Sequence, residues 1–204
     1  VQNAIAAKVM TMLAGAMKEL KIGDPGELST DVGPVIDADA LNILTGHAER
    51  MDREARLIAA ATLPESAAHG TFFAPRAYEL KDLGQLHKEI FGPVLHVIRW
   101  KGDQLGAVID QINATGYGLT LGVHSRIDET VDRITNGIQV GNVYVNRNQI
   151  GAVVGVQPFG GQGLSGTGPK AGGPHYLLRF ATEKTVTVNT TAAGGNASLL
   201  TLGD

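Results

Sequence analysis

The sequence predicts an α/β fold built on parallel strands, and three observations carry that expectation. Apolar residues recur at steps of three and four over Gln2–Leu20, after Asp37 and over Gln104–Asn113, which is helical spacing. Short β-branched runs such as Val94–Trp100 and Ile138–Asn146 alternate with these helices. Strands and helices that take turns along a chain favour parallel pairing.

The elements follow in order. Gln2–Leu20 presents Ile5, Val9, Met12, Leu13, Ala16, Met17 and Leu20 as one helix face, and Gly23 with Asp24-Pro25-Gly26 ends it. The loop from Ile22 to Val35 holds further turn signals at Ser29-Thr30-Asp31 and Gly33-Pro34. Asp37 reads as the N-cap of a second helix running to about Arg53, with Ile43, Leu44, His47 and Met51 inside. Strands are expected over Arg56–Leu63, Gly70–Leu80 and Val94–Trp100. A helix over Gln104–Asn113 turns Leu105, Val108, Ile109 and Ile112 inward. Leu119–His124 is strand-like, Asp128–Thr135 is a short helix with Asp128 near its cap, and Ile138–Asn146 is strand-like again. Nine of the 23 residues from Gly151 to Gly173 are glycine, yet Val153, Val154, Phe159 and Leu164 are interleaved. That pattern predicts an ordered glycine-rich loop region rather than a linker. Lys184–Asn189 alternates as a last strand, and a small polar tail begins at Thr190.

Composition narrows the function classes. At 204 residues, 43% apolar and 18% charged, the chain is ordinary for a soluble globular domain. A net charge of −3 offers no nucleic-acid footprint. No apolar run is long enough to span a bilayer, and no basic region followed by an apolar one marks a secretory signal. With no cysteine, disulfides, thiolate metal sites and a Cys nucleophile are excluded within these residues. The chain opens on Val1 rather than Met, so it is expected to be part of a longer one.

Several patterns compete for chemistry. Gly161-Gln162-Gly163-Leu164-Ser165-Gly166 fits G-x-G-x-x-G, but it lacks a strand before it and has Thr167-Gly168-Pro169 where a helix would start. The dinucleotide fingerprint needs both. Ser165 sits in no nucleophile elbow, because position 167 is Thr. The six histidines form no H-E-x-x-H pattern, and each reads as a satisfied core or surface residue. Glu89 precedes Phe91 by two residues at the mouth of a strand. This is either a surface carboxylate beside a core ring, or a pair facing a ligand: a carboxylate accepts from a ribose diol, and a ring contacts a nicotinamide. Gly151-Ala152 is either a plain loop or a pair of backbone donors for an anion such as a carboxylate. Phe159 is either core or the wall of an apolar pocket.

Seven segments, taken together and in order, resemble the aldehyde dehydrogenase superfamily: Lys21-Ile22-Gly23-Asp24-Pro25, Asp31-Val32-Gly33-Pro34-Val35-Ile36, Glu89-Ile90-Phe91-Gly92-Pro93-Val94, Tyr117-Gly118-Leu119-Thr120, Gly141-Asn142-Val143-Tyr144-Val145-Asn146, Pro158-Phe159-Gly160-Gly161 and Thr182-Glu183-Lys184-Thr185-Val186. Gly151–Gln157 and Lys170–Tyr176 are similar to the glutamate-semialdehyde, or 1-pyrroline-5-carboxylate, dehydrogenase branch. The stretch Asn189–Asn196 resembles the bacterial proline utilization A family, in which such a dehydrogenase follows an FAD-dependent proline dehydrogenase in one polypeptide.

The resemblance implies a parallel-sheet catalytic domain over residues 1–181 and an oligomerisation flap strand with tail over 182–204. It implies NAD as cofactor, with Glu89 on the nicotinamide ribose and Phe91 beside the nicotinamide. It implies that backbone at Gly151 and Ala152 grips the substrate α-carboxylate and that Phe159 packs on the substrate's aliphatic chain. FAD is expected only in the proline dehydrogenase part of the parent. The family's Cys would stand shortly before Val1, and its general-base Glu, oxyanion-hole Asn and adenosine-binding half further upstream. The chain alone is therefore expected to be inactive, with no catalytic residue and no metal site of its own. Its expected partners are a small-molecule substrate, the remainder of the parent polypeptide and further copies paired through residues 184–189. The implied location is the cytoplasm, with room for peripheral membrane association of the intact parent. A competing expectation is a non-catalytic assembly or binding module; another is a piece of an aldehyde dehydrogenase with a different substrate.

Overall fold

Helix α1 (Asn3–Lys18) buries Ala6, Met10 and Met17. Ala6 and Met10 pack with Val97, Leu13 and Ile58. This stripe is turned from the one expected, since Ile5 and Met12 are exposed. The segment offers more apolar residues than one helical face can hold, so periodicity alone admits both settings. Helix α2 (Ala38–Glu54) starts where expected, with the Asp37 carboxylate accepting from Ala40 N at 2.8 Å. Leu44, His47, Ala48 and Met51 are buried, whereas Ile43, expected inside, is exposed.

The computed structural model describes residues 1–189 and 192. These fall into two compact units that divide between Thr115 and Gly116. In the first, strands β1 (Arg56–Ala60), β2 (Arg76–Leu80) and β3 (Val94–Ile98) lie in that order. β2 and β3 are parallel, pairing Arg76 with Val94 through Leu80 with Ile98. β1 adds antiparallel to β2, with an irregularity between Leu57 and Ala59. The α/β reading holds, and the antiparallel edge is an addition that strand alternation cannot reveal. The strand read over Gly70–Leu80 begins only at Arg76. Before it, Pro75 gives the sheet a carbonyl, to Ala61 N at 2.9 Å, and has no N–H to give. Phe73 still buries itself, against Leu44 and Ala48. Helix α3 (Leu105–Ala114) turns Leu105 and Ile109 inward.

The second unit holds β4 (Tyr117–Gly118), β5 (Thr120–Val123), α4 (Asp128–Gly137), β6 (Asn142–Val145) and β7 (Gln162–Gly163). β5 and β6 are parallel, and β4 pairs antiparallel with β7. Asp128 is the first residue of α4 rather than its cap; Ile127 precedes it without a side-chain bond. Asp128 and Glu129 instead meet the helix dipole in the first turn. Two glycines are sterically required. A Cβ on Gly141 would lie 1.7 Å from the carbonyl oxygen of Gly160. Gly163 has φ +57°, and its Cβ would lie 2.4 Å from the Gly116 oxygen.

Lys184–Asn189 departs from expectation: no strand forms there among the described residues, and Val186 and Val188 are exposed. A strand is defined by its ladder, and among the described residues this segment has none. The tail read from Thr190 lies outside the described residues except for Ala192. Among the described residues no helix is long and apolar enough to cross a membrane.

Candidate functional site

In the first unit, Ile90 is the residue that fixes the mouth of β3. It packs against the cluster of Leu44, Ala48 and Phe73. Its two neighbours are thereby left outside: Glu89 is exposed, and Phe91 is 86% exposed. A ring that open is unusual in a core-forming segment, because burying it would remove a large apolar area from water. The reading of Phe91 as a core ring is therefore overturned. Gly92 passes so close to α2 that a Cβ there would meet both Leu44 methyls at 2.6 Å. Pro93 O accepts from Arg76 N at 3.1 Å, and Val94 then enters the sheet. The backbone is held on both sides of the pair, while the carboxylate and the ring face outward. Among the described residues the Glu89 carboxylate has neither an ion pair nor a hydrogen bond. An unengaged carboxylate two residues from an open ring fits a sugar diol joined to a flat aromatic ring.

Beside this segment is a cleft of about 380 Å³ lined by His47, Arg50, His87, Lys88 and Ile90. His47 on α2 meets His96 on β3, Nε2 to Nε2 at 2.8 Å, with the rings edge-to-face. One nitrogen must donate and the other accept, so at least one ring is neutral. Burial pushes the His96 imidazole down to about 4, with His47 and Arg50 adding repulsion. Burial, then Arg50, lowers His47 as well. The sequence reading treated each histidine singly and missed the pair. The buried setting of His47 in α2 is its only sequence signal.

In the second unit, Gly151 and Ala152 lie in a loop closed on itself. Val153 O accepts from Gln157 N at 2.9 Å, and Val153 N donates to the Gln157 side-chain oxygen at 3.0 Å. Gly155 turns the chain with φ +79°. Arg147 braces the loop from outside. Its Nη1 donates to Gln157 Oε1 at 3.4 Å, Nη2 to Gly151 O at 3.5 Å, and Nε to Asn148 O at 3.2 Å. The guanidinium also lies 4.6 Å from the centre of the Tyr144 ring. Among the described residues the amides of Gly151 and Ala152 find no acceptor. The Cβ direction of Gly151 is open space. Two adjacent unengaged amides can receive a small anion.

Phe159 is half-buried and exchanges both backbone bonds with Ala171, at 3.0 and 2.9 Å. Asn142 holds the neighbouring backbone, donating to Pro158 O at 2.9 Å and accepting from Gly160 N at 3.2 Å. Phe159 is thus anchored by its own backbone. A cleft of about 670 Å³ runs along this region, lined by Tyr144, Arg147, Gln157, Pro158, Lys170 and His175 among others. Gly151, Ala152 and Phe159 are not in its wall. The Gly161–Gly166 pattern forms β7 and a tight turn, with Ser165 N donating to Gln162 O and Gly166 N to Gly163 O. Ser165 Oγ accepts from Gly118 N at 3.2 Å, a structural role. No helix follows, as expected from Pro169. Among the described residues no cluster of three His, Cys, Asp or Glu is placed to hold a metal ion.

Comparison with known proteins places the chain in a family. The sequence model described as the aldehyde dehydrogenase family matches residues 1–186. The Bifunctional protein PutA of Klebsiella aerogenes is 53% identical over 188 residues, which is 90% of this chain and 14% of that protein. A crystal structure of a Bradyrhizobium japonicum Proline Utilization A mutant superimposes with a TM-score of 0.87 at 60% identity, covering 95% of this chain and 20% of that one. The 1-pyrroline-5-carboxylate dehydrogenase from Thermus, solved with bound NAD, gives a TM-score of 0.79 at 36% identity over 88% of this chain and 34% of its own. The chain therefore spans about one seventh of the curated relative's length.

Proposed function

Because the chain belongs to the aldehyde dehydrogenase family, we propose that it supplies part of the cofactor and substrate sites of an NAD-dependent dehydrogenase. That enzyme oxidises L-glutamate 5-semialdehyde, the open form of 1-pyrroline-5-carboxylate, to L-glutamate. Glu89 takes the nicotinamide ribose hydroxyls, two O–H donors to one carboxylate. Phe91 offers its open face to the nicotinamide. NAD supplies the hydride acceptor. The substrate reading is carried by one observation: adjacent, unengaged amides at Gly151 and Ala152, with open space in the Cβ direction of Gly151. The α-carboxylate of the substrate fits there, and Phe159 covers the methylenes between carboxylate and aldehyde. The similarity to 1-pyrroline-5-carboxylate dehydrogenase supports the same reading.

The thiolate step of the reaction lies with residues other than these, which include no cysteine. The parent polypeptide, on this reading, is a cytoplasmic bifunctional enzyme that carries FAD in a proline dehydrogenase domain outside this chain. Val186 and Val188, exposed here, form their ladder with a second copy. A non-catalytic assembly role would also expose this segment. It would give no reason for two separate unengaged ligand-type surfaces.

The test is a structure of the full-length enzyme with glutamate, together with Ala152→Leu kinetics. We expect the α-carboxylate on the amides of residues 151 and 152. KM for glutamate semialdehyde should rise by about tenfold or more with NAD binding near normal, since a branched side chain fills the anion's space. A carboxylate bound elsewhere refutes the assignment of the loop.

A further inference from the structure

We infer that Arg147 and Gln157 are positioning residues that set substrate specificity by fixing the direction of the Gly151–Ala152 peptide. The inference rests on the proposed reading of that loop as the carboxylate anchor. Its starting point is the planarity of a trans peptide, in which C=O and the following N–H point in opposite directions. Arg147 Nη2 takes the Gly151 carbonyl. The Ala152 N–H belongs to the same peptide plane and is therefore turned away from the guanidinium. If that plane flipped, a carbonyl oxygen would point where the substrate carboxylate sits, and the interaction would change from attraction to repulsion.

Gln157 completes the frame. Its Oε1 accepts both from Arg147 Nη1 and from Val153 N, at 3.4 and 3.0 Å. Val153 N–H is thereby engaged, while the amides of Gly151 and Ala152 just before it are not. The Tyr144 ring lies under the guanidinium and holds its plane. Among the described residues Arg147 makes no ion pair with a carboxylate. Its planar fork is directed to loop oxygens instead. Arg147 thus acts through the backbone and not as a charge laid directly on the substrate.

The two roles separate experimentally in the full-length enzyme. Arg147→Lys keeps the charge and loses the fork, and Gln157→Met keeps the shape and loses the shared acceptor. Each is assayed with glutamate semialdehyde and with pentanal, an aldehyde of the same chain length that has no carboxylate. Both variants should raise KM for glutamate semialdehyde by about tenfold, the order of one lost hydrogen bond to a charged group. KM for NAD and kcat/KM for pentanal should stay within about twofold. An Arg147→Lys enzyme that behaves as wild type overturns the inference in favour of a direct charge. Equal losses on both aldehydes overturn it in favour of general loop support. Ala152→Leu serves as the control. If it is selective for the carboxylated aldehyde and the two frame variants are not, the inference fails while the anchor survives. If none of the three is selective, the anchor reading fails too.

Discussion

On the proposed reading, the mouth of β3 and the loop after β6 divide the labour of ligand binding in opposite ways. At Glu89 and Phe91 the backbone is the scaffold and the side chains are offered outward. Ile90 packs inward, Gly92 lies against Leu44, and Pro93 O is tied to Arg76 N. At Gly151 and Ala152 the side chains are the scaffold and the backbone is offered. Arg147, Gln157 and Tyr144 hold a turn in which the amides of Gly151 and Ala152 remain unengaged. A side-chain site is sensitive to the chemistry of one residue. A backbone site is sensitive to shape and to whatever holds the shape.

Three perturbations, from the largest effect to the smallest, break or sharpen this contrast. Gly141→Ala should be the most damaging, because its Cβ would collide with the Gly160 carbonyl at 1.7 Å. Backbone on backbone cannot yield as a flexible side chain does. We expect a loss of more than about 3 kcal/mol, seen as a lowered midpoint in denaturant. Wild-type stability would show that the crossing of β6 with the Phe159-Gly160 segment has slack. Glu89→Gln keeps the shape and an acceptor but loses the charge. It should weaken NAD binding by roughly 1–3 kcal/mol and leave the folding midpoint unchanged. Calorimetry that finds unaltered NAD affinity would remove Glu89 from the cofactor site.

The smallest effect is one of pH. The folded His96 imidazole titrates at about 4, below its ordinary 6.5, because burial opposes the charge. Between those values the unfolded chain binds more protons than the folded one. Stability is therefore fully present above pH 6.5 and falls as pH drops toward 4. His96→Gln should flatten the dependence of the unfolding midpoint on pH across that window. An unchanged slope would mean that other groups carry it.

How much of this was readable beforehand follows from what each feature depends on. Helix α2 was readable because Asp37, Leu44, His47 and Met51 mark its start and face locally. The stripe of α1 was not, since Ile5, Val9 and Met12 are as apolar as the residues that are buried. The parallel β2–β3 pair follows from element order, but the antiparallel entry of β1 has no local signature. Glu89 and Phe91 stood out by their place before Gly92-Pro93, and the structure adds that both are exposed. The residues of Gly151-Ala152 leave a plain loop and a pair of backbone donors both open, and the donor role comes from the family resemblance, whereas the bracing by Arg147 depends on a side-chain direction in irregular backbone, where no periodicity applies. The His47–His96 contact joins residues 49 positions apart, and only the tertiary placement of α2 on β3 creates it. Lys184–Asn189 shows the reverse case. Its alternation is plain in the sequence, yet among the described residues no neighbour completes it.

The short β4–β7 ladder has a consequence for the order in which the molecule assembles. It joins Tyr117-Gly118 to Gln162-Gly163, and the nearby contact of Gly118 with Ser165 spans 47 positions. Closing so long a loop for two paired residues gains little until the intervening parts have already condensed. Loop-closure entropy favours an order in which β5, α4 and β6 form first and the glycine-rich return then latches across them. During synthesis the latch cannot form before residue 165 has left the ribosome. The proposed carboxylate anchor, Gly151–Ala152, lies between β6 and that latch. It is thus completed late, on a framework already built, and its amides should exchange with solvent ahead of those in β5 and β6.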